Sequence, residues 1–241
     1  MRRSLFAVFA FLFTSTIVAA GDLESKTSSG THTYAGETTI IATALLVEPA
    51  PDADGWYSLF DGKTLDGWKI NEDQKAAKVE NGELIIGGAP RTHVFYDGPV
   101  KNHDFKDFEF KAKVKVIGNS NSGIYFHTEY QKDGWPAKGF EAQVCSKNYG
   151  DPRKTGSLYA VKDVEEAPVP DDEWFDYHII VKGDHVTIKI NDKETIDWTQ
   201  EAGKAPNKDM PGRVIGHGTF ALQGHDPKSV VHYKDLKVKP L

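Results

Sequence analysis

The chain has 241 residues, a formal net charge of −6, 39% hydrophobic residues and one cysteine. An acidic balance opposes nucleic acid and anionic membrane as partners, since both attract a basic face. A lone Cys145 excludes an intramolecular disulfide, so the fold rests on its core, and a chain of this length can bury one in a single domain.

The N-terminus, Met1-Arg2-Arg3, is followed by an apolar run from Leu5 to Ala20 that ends in Val18-Ala19-Ala20. This pattern predicts a cleaved signal peptide over residues 1–20, and hence an exported protein, periplasmic or extracellular. The run is short for a membrane span, so none is expected after cleavage. Cleavage would remove Arg2 and Arg3 and no acidic residue, leaving a net charge of −8. Residues 21–54 are rich in Ser, Thr, Gly and Ala and close with the turn-prone Pro49-Ala50-Pro51-Asp52-Ala53-Asp54. They read as a linker or N-terminal extension around one apolar stretch, 39–47, that suits a short helix or an added strand.

From residue 55 onward the pattern is all-β, with short Val, Ile, Tyr, Phe and Thr segments separated by Gly, Asn, Asp and Pro. A strand is expected over 82–86, after the Asn81-Gly82 turn signal. Residues 108–116 alternate with period two, and 178–182 and 186–191 form a hairpin across Lys182-Gly183-Asp184. The next turn falls at Asn191-Asp192-Lys193, and 230–238 alternates again near the end of the chain. No long stretch has helical periodicity, although 168–175 suits a short turn. Short antiparallel strands at this spacing predict a β-sandwich or jelly roll.

Strand parity then sorts side chains, because neighbours on a strand point to opposite faces. In 140–145, Phe140, Ala142 and Val144 suit the core, which leaves Glu141, Gln143 and Cys145 on the other face. In 122–127, Ile124 and Phe126 go inward and Gly123, Tyr125 and His127 outward. In 219–225, Phe220 and Leu222 go inward, while Ala221, Gln223 and His225 go outward. Amides and carboxylates for hydroxyls beside aromatics for ring faces are what a sugar-binding sheet presents. Glu141 is the one acidic residue on this face of the three strands, so the matched carboxylate pair of ordinary glycosidases is missing there. Trp56, Trp68 and Trp198 read as packing residues, Cys145 as a buried thiol, and the acidic run over 163–173 as a solvated loop. Trp135, in Asp133-Gly134-Trp135-Pro136, and Trp174 can reach over a ligand. Phosphate-binding glycine loops, serine-nucleophile elbows and zinc-protease or CxxC motifs are absent from the sequence.

Several segments carry a family resemblance together. Gly55-Trp56-Tyr57-Ser58-Leu59-Phe60-Asp61-Gly62-Lys63-Thr64-Leu65-Asp66-Gly67-Trp68 resembles the opening signature of the 3-keto-disaccharide hydrolase domain family. Asn121-Ser122-Gly123-Ile124-Tyr125-Phe126, Phe140-Glu141-Ala142-Gln143-Val144, Lys154-Thr155-Gly156-Ser157-Leu158-Tyr159 and Ala221-Leu222-Gln223-Gly224-His225-Asp226 resemble later motifs, in family order, and the match runs over 55–241. The resemblance implies a concanavalin A-like jelly-roll sandwich of two antiparallel sheets, with a carbohydrate site on the concave one. It also implies action on glycosides oxidised at C3 of glucose. Family members often carry arginine where His127 stands here.

On this basis Glu141, His225 and Lys154 are the candidate catalytic residues. Gln143, His127, Tyr125, Tyr159, Gln223 and Trp135 are the candidate substrate-binding ones. A divalent cation is an option, with Glu141, His127 and His225 as its candidate ligands. A C3 ketone acidifies the C2 proton, so the expected route is elimination and hydration, with His225 or Glu141 as base and Lys154 or a cation polarising the ketone. Alternatives are a non-catalytic carbohydrate-binding module of the same fold, or an ordinary endo-glucanase.

Overall fold

A computed structural model describes residues 47–241. The expected signal peptide and most of the 21–54 extension lie outside the described residues. Residues 47–54 form no strand or helix, and Asp52 Oδ1 closes their turn by accepting from the Asp54 and Trp56 N–H groups at 3.0 and 2.9 Å.

The strands follow in chain order: β1 (Tyr57–Ser58), β2 (Trp68–Ile70), β3 (Ala77–Glu80), β4 (Glu83–Gly87), β5 (Thr92–Tyr96), β6 (Phe108–Ile117), β7 (Asn121–Thr128) and β8 (Phe140–Cys145). They continue with β9 (Phe175–Lys182), β10 (His185–Ile190), β11 (Lys193–Thr199), β12 (Thr219–Gly224) and β13 (Val230–Pro240). The eight-stranded sheet runs β11-β10-β9-β6-β13-β4-β3, with β1 also paired to β13, and the five-stranded sheet runs β2-β5-β12-β7-β8. All strand pairings are antiparallel. The all-β jelly-roll sandwich expected from the sequence is thus the observed fold.

Local chemistry explains the connections. Asn81 and Gly82 take φ of 53° and 81°, the left-handed pair that a tight turn between β3 and β4 demands, and Asn191 and Asp192 do the same at 48° and 62° between β10 and β11. Between the sheets lies one core. Period-two residues of β6 (Phe108, Phe110, Val114) and β9 (Tyr177, Ile179, Val181) meet Ile124, Phe126, Phe140, Val144, Phe220 and Leu222 from the smaller sheet. A short 3₁₀ turn, Val100–His103, escaped the sequence reading because its Lys101, Asn102 and His103 are all left-handed and only Val100 is buried.

Trp68 is a packing residue, its Nε1–H donating to the Leu59 carbonyl at 2.8 Å. Trp198 packs on the core rim. Trp56 instead lies over Lys111 on the outer face of the large sheet, 4.8 Å from its Nζ. No helix among the described residues is long and apolar enough to cross a membrane.

Candidate active site

The inward residues of β7, β8 and β12 leave their alternates on the outer face of the five-stranded sheet, where a cavity of about 410 Å³ opens. Its floor is set by register. Tyr125 stands opposite Glu141 and Ala221, and Gly123 stands opposite Gln143. Gly123 is the gap in this pattern: a Cβ there would run into the Glu141 carboxylate. A strand glycine therefore marks close approach by a side chain.

Glu141 is 4% exposed and held by donors on both oxygens. Tyr125 O–H donates to Oε2 at 2.9 Å, and Gln223 Nε2 donates to Oε1 at 3.0 Å. With its amide nitrogen turned inward, Gln143 also donates to Oε1, at 3.1 Å. Arg213 Nη2 lies 3.5 Å from Oε2, and the two side chains are 8% and 5% exposed. Burial raises the Glu141 pKa above the ordinary carboxylate value, and the Arg213 charge and the Tyr125 and Gln223 hydrogen bonds restrain the rise.

His225 follows β12, beside Asp226. Its Nδ1 lies 3.2 Å from Asp226 Oδ2 and 3.1 Å from the Tyr149 hydroxyl, and its ring stands 5.4 Å from that of Trp135. Asp226 also caps its own turn, accepting from Lys228 N–H at 2.8 Å and from Ser229 Oγ at 2.6 Å. Burial works against the Asp226 charge, but hydrogen bonds from Ser229, Lys228, Tyr149 and His225 overcome it and hold the pKa down to about 2. An ionised Asp226 fixes the proton of His225 on Nδ1, which leaves Nε2 as the reactive nitrogen.

Of the residues expected from the sequence, Glu141, His225, Gln143, Tyr125, Tyr159, Gln223 and Trp135 all line the cavity. Two do not. Lys154 Nζ is spent on the Tyr149 and Asp151 carbonyls at 2.7 and 2.6 Å, so it braces the loop that carries those residues. His127 leaves the parity pattern because it is left-handed, at φ 55°, opposite a register shift between Thr219 and Ala221. Its ring packs edge-on against Phe108 and Phe126, 5.7 and 5.6 Å away. Its Nε2–H donates to the Lys106 carbonyl at 2.7 Å, and its Nδ1 accepts from Gly216 N–H at 3.2 Å. Burial lowers its pKa, in keeping with a neutral ring. The bond to Gly216 ties down the loop that delivers Arg213. Glu141, His127 and His225 therefore do not converge, and no cluster of three metal-binding side chains exists among the described residues. Cys145, on the same strand face, is buried, and burial pushes its thiol up to about 12.

Sequence reasoning missed Arg213, Tyr149 and His93. Arg213 and Tyr149 come from loops with no periodicity. His93 could have been found, because Val94 belongs to the core and parity turns His93 outward beside Gln223, its cross-strand partner. Its ring is fully buried, edge-on to Tyr125 at 5.4 Å and to Trp135 at 5.6 Å. Both of its ring nitrogens lack protein partners, as do Arg213 Nη1, Gln223 Oε1 and Asn121 Oδ1, the last three on cavity-lining residues. Buried polar atoms left open in this way are met by water or by a polar ligand.

Two packed antiparallel sheets with a polar, aromatic-walled pocket on one outer face define a jelly-roll protein of the galectin and concanavalin A type. A Bacillus subtilis protein with a galectin-like fold shares it, with a TM-score of 0.55 at 13% identity over 81% of this chain and 98% of that one. The chain belongs to the 3-keto-alpha-glucoside-1,2-lyase-like domain family, which matches residues 55–239. It is similar to the 3-keto-disaccharide hydrolase of Bacteroides thetaiotaomicron, 30% identical over 179 residues. That alignment covers 62% of this chain and spans 61% of the relative's length. It is also similar to the crystal structure of a candidate glycosyl hydrolase from Parabacteroides distasonis, with 26% identity and a TM-score of 0.66 over 78% of this chain and 95% of that one.

Proposed function

We propose that this chain is a carbohydrate-active enzyme that cleaves 3-keto-glycosides at the Glu141 pocket by elimination followed by hydration. The observation that carries the reading is a buried carboxylate of raised pKa, flanked by an arginine with an open Nη1 and sharing its cavity with an aspartate-oriented histidine. A base removing the C2 proton, which the C3 ketone makes acidic, benefits from that raised pKa. Glu141 takes this proton, and electron density moves toward the C3 oxygen, where Arg213 Nη1 offers the stabilising charge. The C1–O bond then breaks, and His225 in its doubly protonated form, with Nδ1–H held by Asp226, gives its Nε2 proton to the departing oxygen. Water then adds across the resulting double bond, Glu141 returning its proton to C2 and His225 taking one from the water that attacks C1, which completes the net hydrolysis and restores both groups. Arg213 thus fills the role that the sequence suggested for Lys154. Export of the chain, expected from residues 1–20, belongs to the same reading: an enzyme acting on external glycosides.

The test is turnover of a 3-keto-disaccharide by the purified protein, against the unoxidised disaccharide. Release of 3-keto-glucose from the oxidised substrate alone is expected, and Glu141→Gln should lower kcat by about 10²-fold or more. Binding without release would instead make the chain a carbohydrate-binding module. Undiminished turnover by the variant would remove Glu141 from the chemistry.

A further inference from the structure

The opposite face of the sandwich carries a second constellation that the pocket chemistry does not use. On the eight-stranded sheet, Lys111 of β6 stands directly across from Lys237 of β13, Lys113 from Lys234, and Lys115 from His232. Like charges in directly opposed positions destabilise a sheet. Lys113 is neutralised by Asp176 at 2.9 Å, but Lys111, Lys115, Lys234 and Lys237 form no ion pair among the described residues. Two indoles sit among these ammonium groups. Trp56 has Lys111 Nζ at 4.8 Å and Lys237 Nζ at 5.8 Å, and Trp174 has Lys115 at 4.8 Å and Lys234 at 4.2 Å. A groove of about 690 Å³ opens at the Trp56 end.

We infer that this face is a docking site for an acidic polysaccharide, a uronate-bearing chain of sugars, separate from the Glu141 pocket. Charge complementarity argues for it: the chain is acidic overall, at −6, yet four lysines without an ion pair among the described residues, Lys111, Lys115, Lys234 and Lys237, stand together on two adjoining central strands. Same-face residues recur about every 6.7 Å along a strand, so Lys111, Lys113 and Lys115 form an evenly spaced row on β6, while a bulge between Lys234 and Lys237 offsets their partners on β13. Carboxylates decide which polyanion fits. Asp52, Asp176, Asp192 and Asp235 line the same groove. They repel a densely charged chain such as duplex nucleic acid, with about one charge per 1.7 Å of axis. They accept hydrogen bonds from hydroxyls, so they suit a polymer whose carboxylates are spread out along sugar rings. The apolar flanks of those rings can contact the indole edges, while the ammonium groups take the carboxylates.

The test is affinity electrophoresis of the full chain through gels holding polygalacturonate or neutral dextran, at low and high salt. Retardation by polygalacturonate alone, relieved by salt, is expected. Lys111→Gln/Lys237→Gln should weaken it about tenfold while turnover at the Glu141 pocket is unchanged. Asp235→Asn keeps the left-handed turn and removes a rim charge, so it should strengthen retardation; this variant guards against a loss caused only by misfolding. Glu141→Gln should leave retardation as it is, which separates this site from the proposed catalytic one. Retention equal on dextran, indifference to both the lysine and Asp235 substitutions, or tighter binding to duplex DNA or phosphatidylglycerol vesicles would each overturn the proposal.

Discussion

A methyl group placed at Gly123 tests the pocket at its narrowest point. Gly123 lies in an ordinary strand conformation, so alanine costs the backbone little, but its Cβ would occupy the space into which Glu141 folds. Gly123→Ala should retain cooperative unfolding and lose turnover by about 10-fold or more, since misplacing a reacting group by an ångström has this scale of cost. Full activity in a folded Gly123→Ala protein would show that Glu141 need not sit where it does. His93 makes a second prediction at this scale. Burial lowers its pKa from 6.5 to about 3. Unfolded chains bind this proton as the pH falls through 6.5, and the folded protein does not until about 3, so folding loses stability across that window. Between pH 7 and pH 5 the loss from this group is about 2 kcal/mol. His93→Phe keeps a ring among Tyr125, Phe95 and Trp135 and should flatten that part of the urea-midpoint dependence on pH; an unchanged slope would contradict a neutral buried ring. At this scale the sequence was readable wherever parity held, as with Glu141, Gln143, Tyr125 and Gln223. It misled at His127, because one left-handed residue turns a side chain away and no alternation pattern records a bulge.

Elements explain why the pocket has walls as well as a floor. Strands β7, β8 and β12 provide the floor, but Trp135 and Arg213 arrive on loops whose shape is fixed by a few polar bonds. Gln131 organises the Trp135 loop: its amide nitrogen donates to the Asp133 and Trp135 carbonyls, and its oxygen accepts from Ala137 N–H at 3.1 Å. Asn71 Nδ2 in turn donates to the Gln131 carbonyl at 3.0 Å, and Arg91, paired with Glu72 at 2.7 Å, lies 5.4 Å from the Trp135 ring. Gln131→Ala should free this loop without touching the sheets. Faster amide exchange over 132–138, unchanged exchange in β7 and β12, and a raised KM are expected. Exchange that stays as slow as in the parent would mean that the Trp135 ring contacts alone hold the loop. Strands and their turns were legible from alternation and from Asn-Gly and Asn-Asp signals. These loops were not, because their order comes from side chains meeting across long sequence separations, such as His127 with Gly216.

For the molecule as a whole, the controlling fact is where the last strand sits. β13 ends one residue before the C-terminus, yet it occupies the middle of the large sheet, bonded to β6 on one side and to β4 and β1 on the other. Its Val231, Tyr233, Leu236 and Val238 are buried in the core. Without it, β4 and β6 would each expose an unpaired edge inside the sheet, and the β3-β4 hairpin would lose its attachment to β6. With Cys145 the single cysteine, no disulfide can offset that loss. Alternation over 230–238 identified the strand, but its central place depends on pairings with strands more than a hundred residues earlier, which local pattern cannot reveal. Such non-local pairing also predicts slow folding, on the order of milliseconds to seconds. Removal of residues 230–241 should therefore abolish the native state outright rather than fray an edge. The truncated chain is expected to lack a cooperative thermal transition and to aggregate; a soluble truncated protein that unfolds near the parent's Tm would show that the two sheets can close without their central strand.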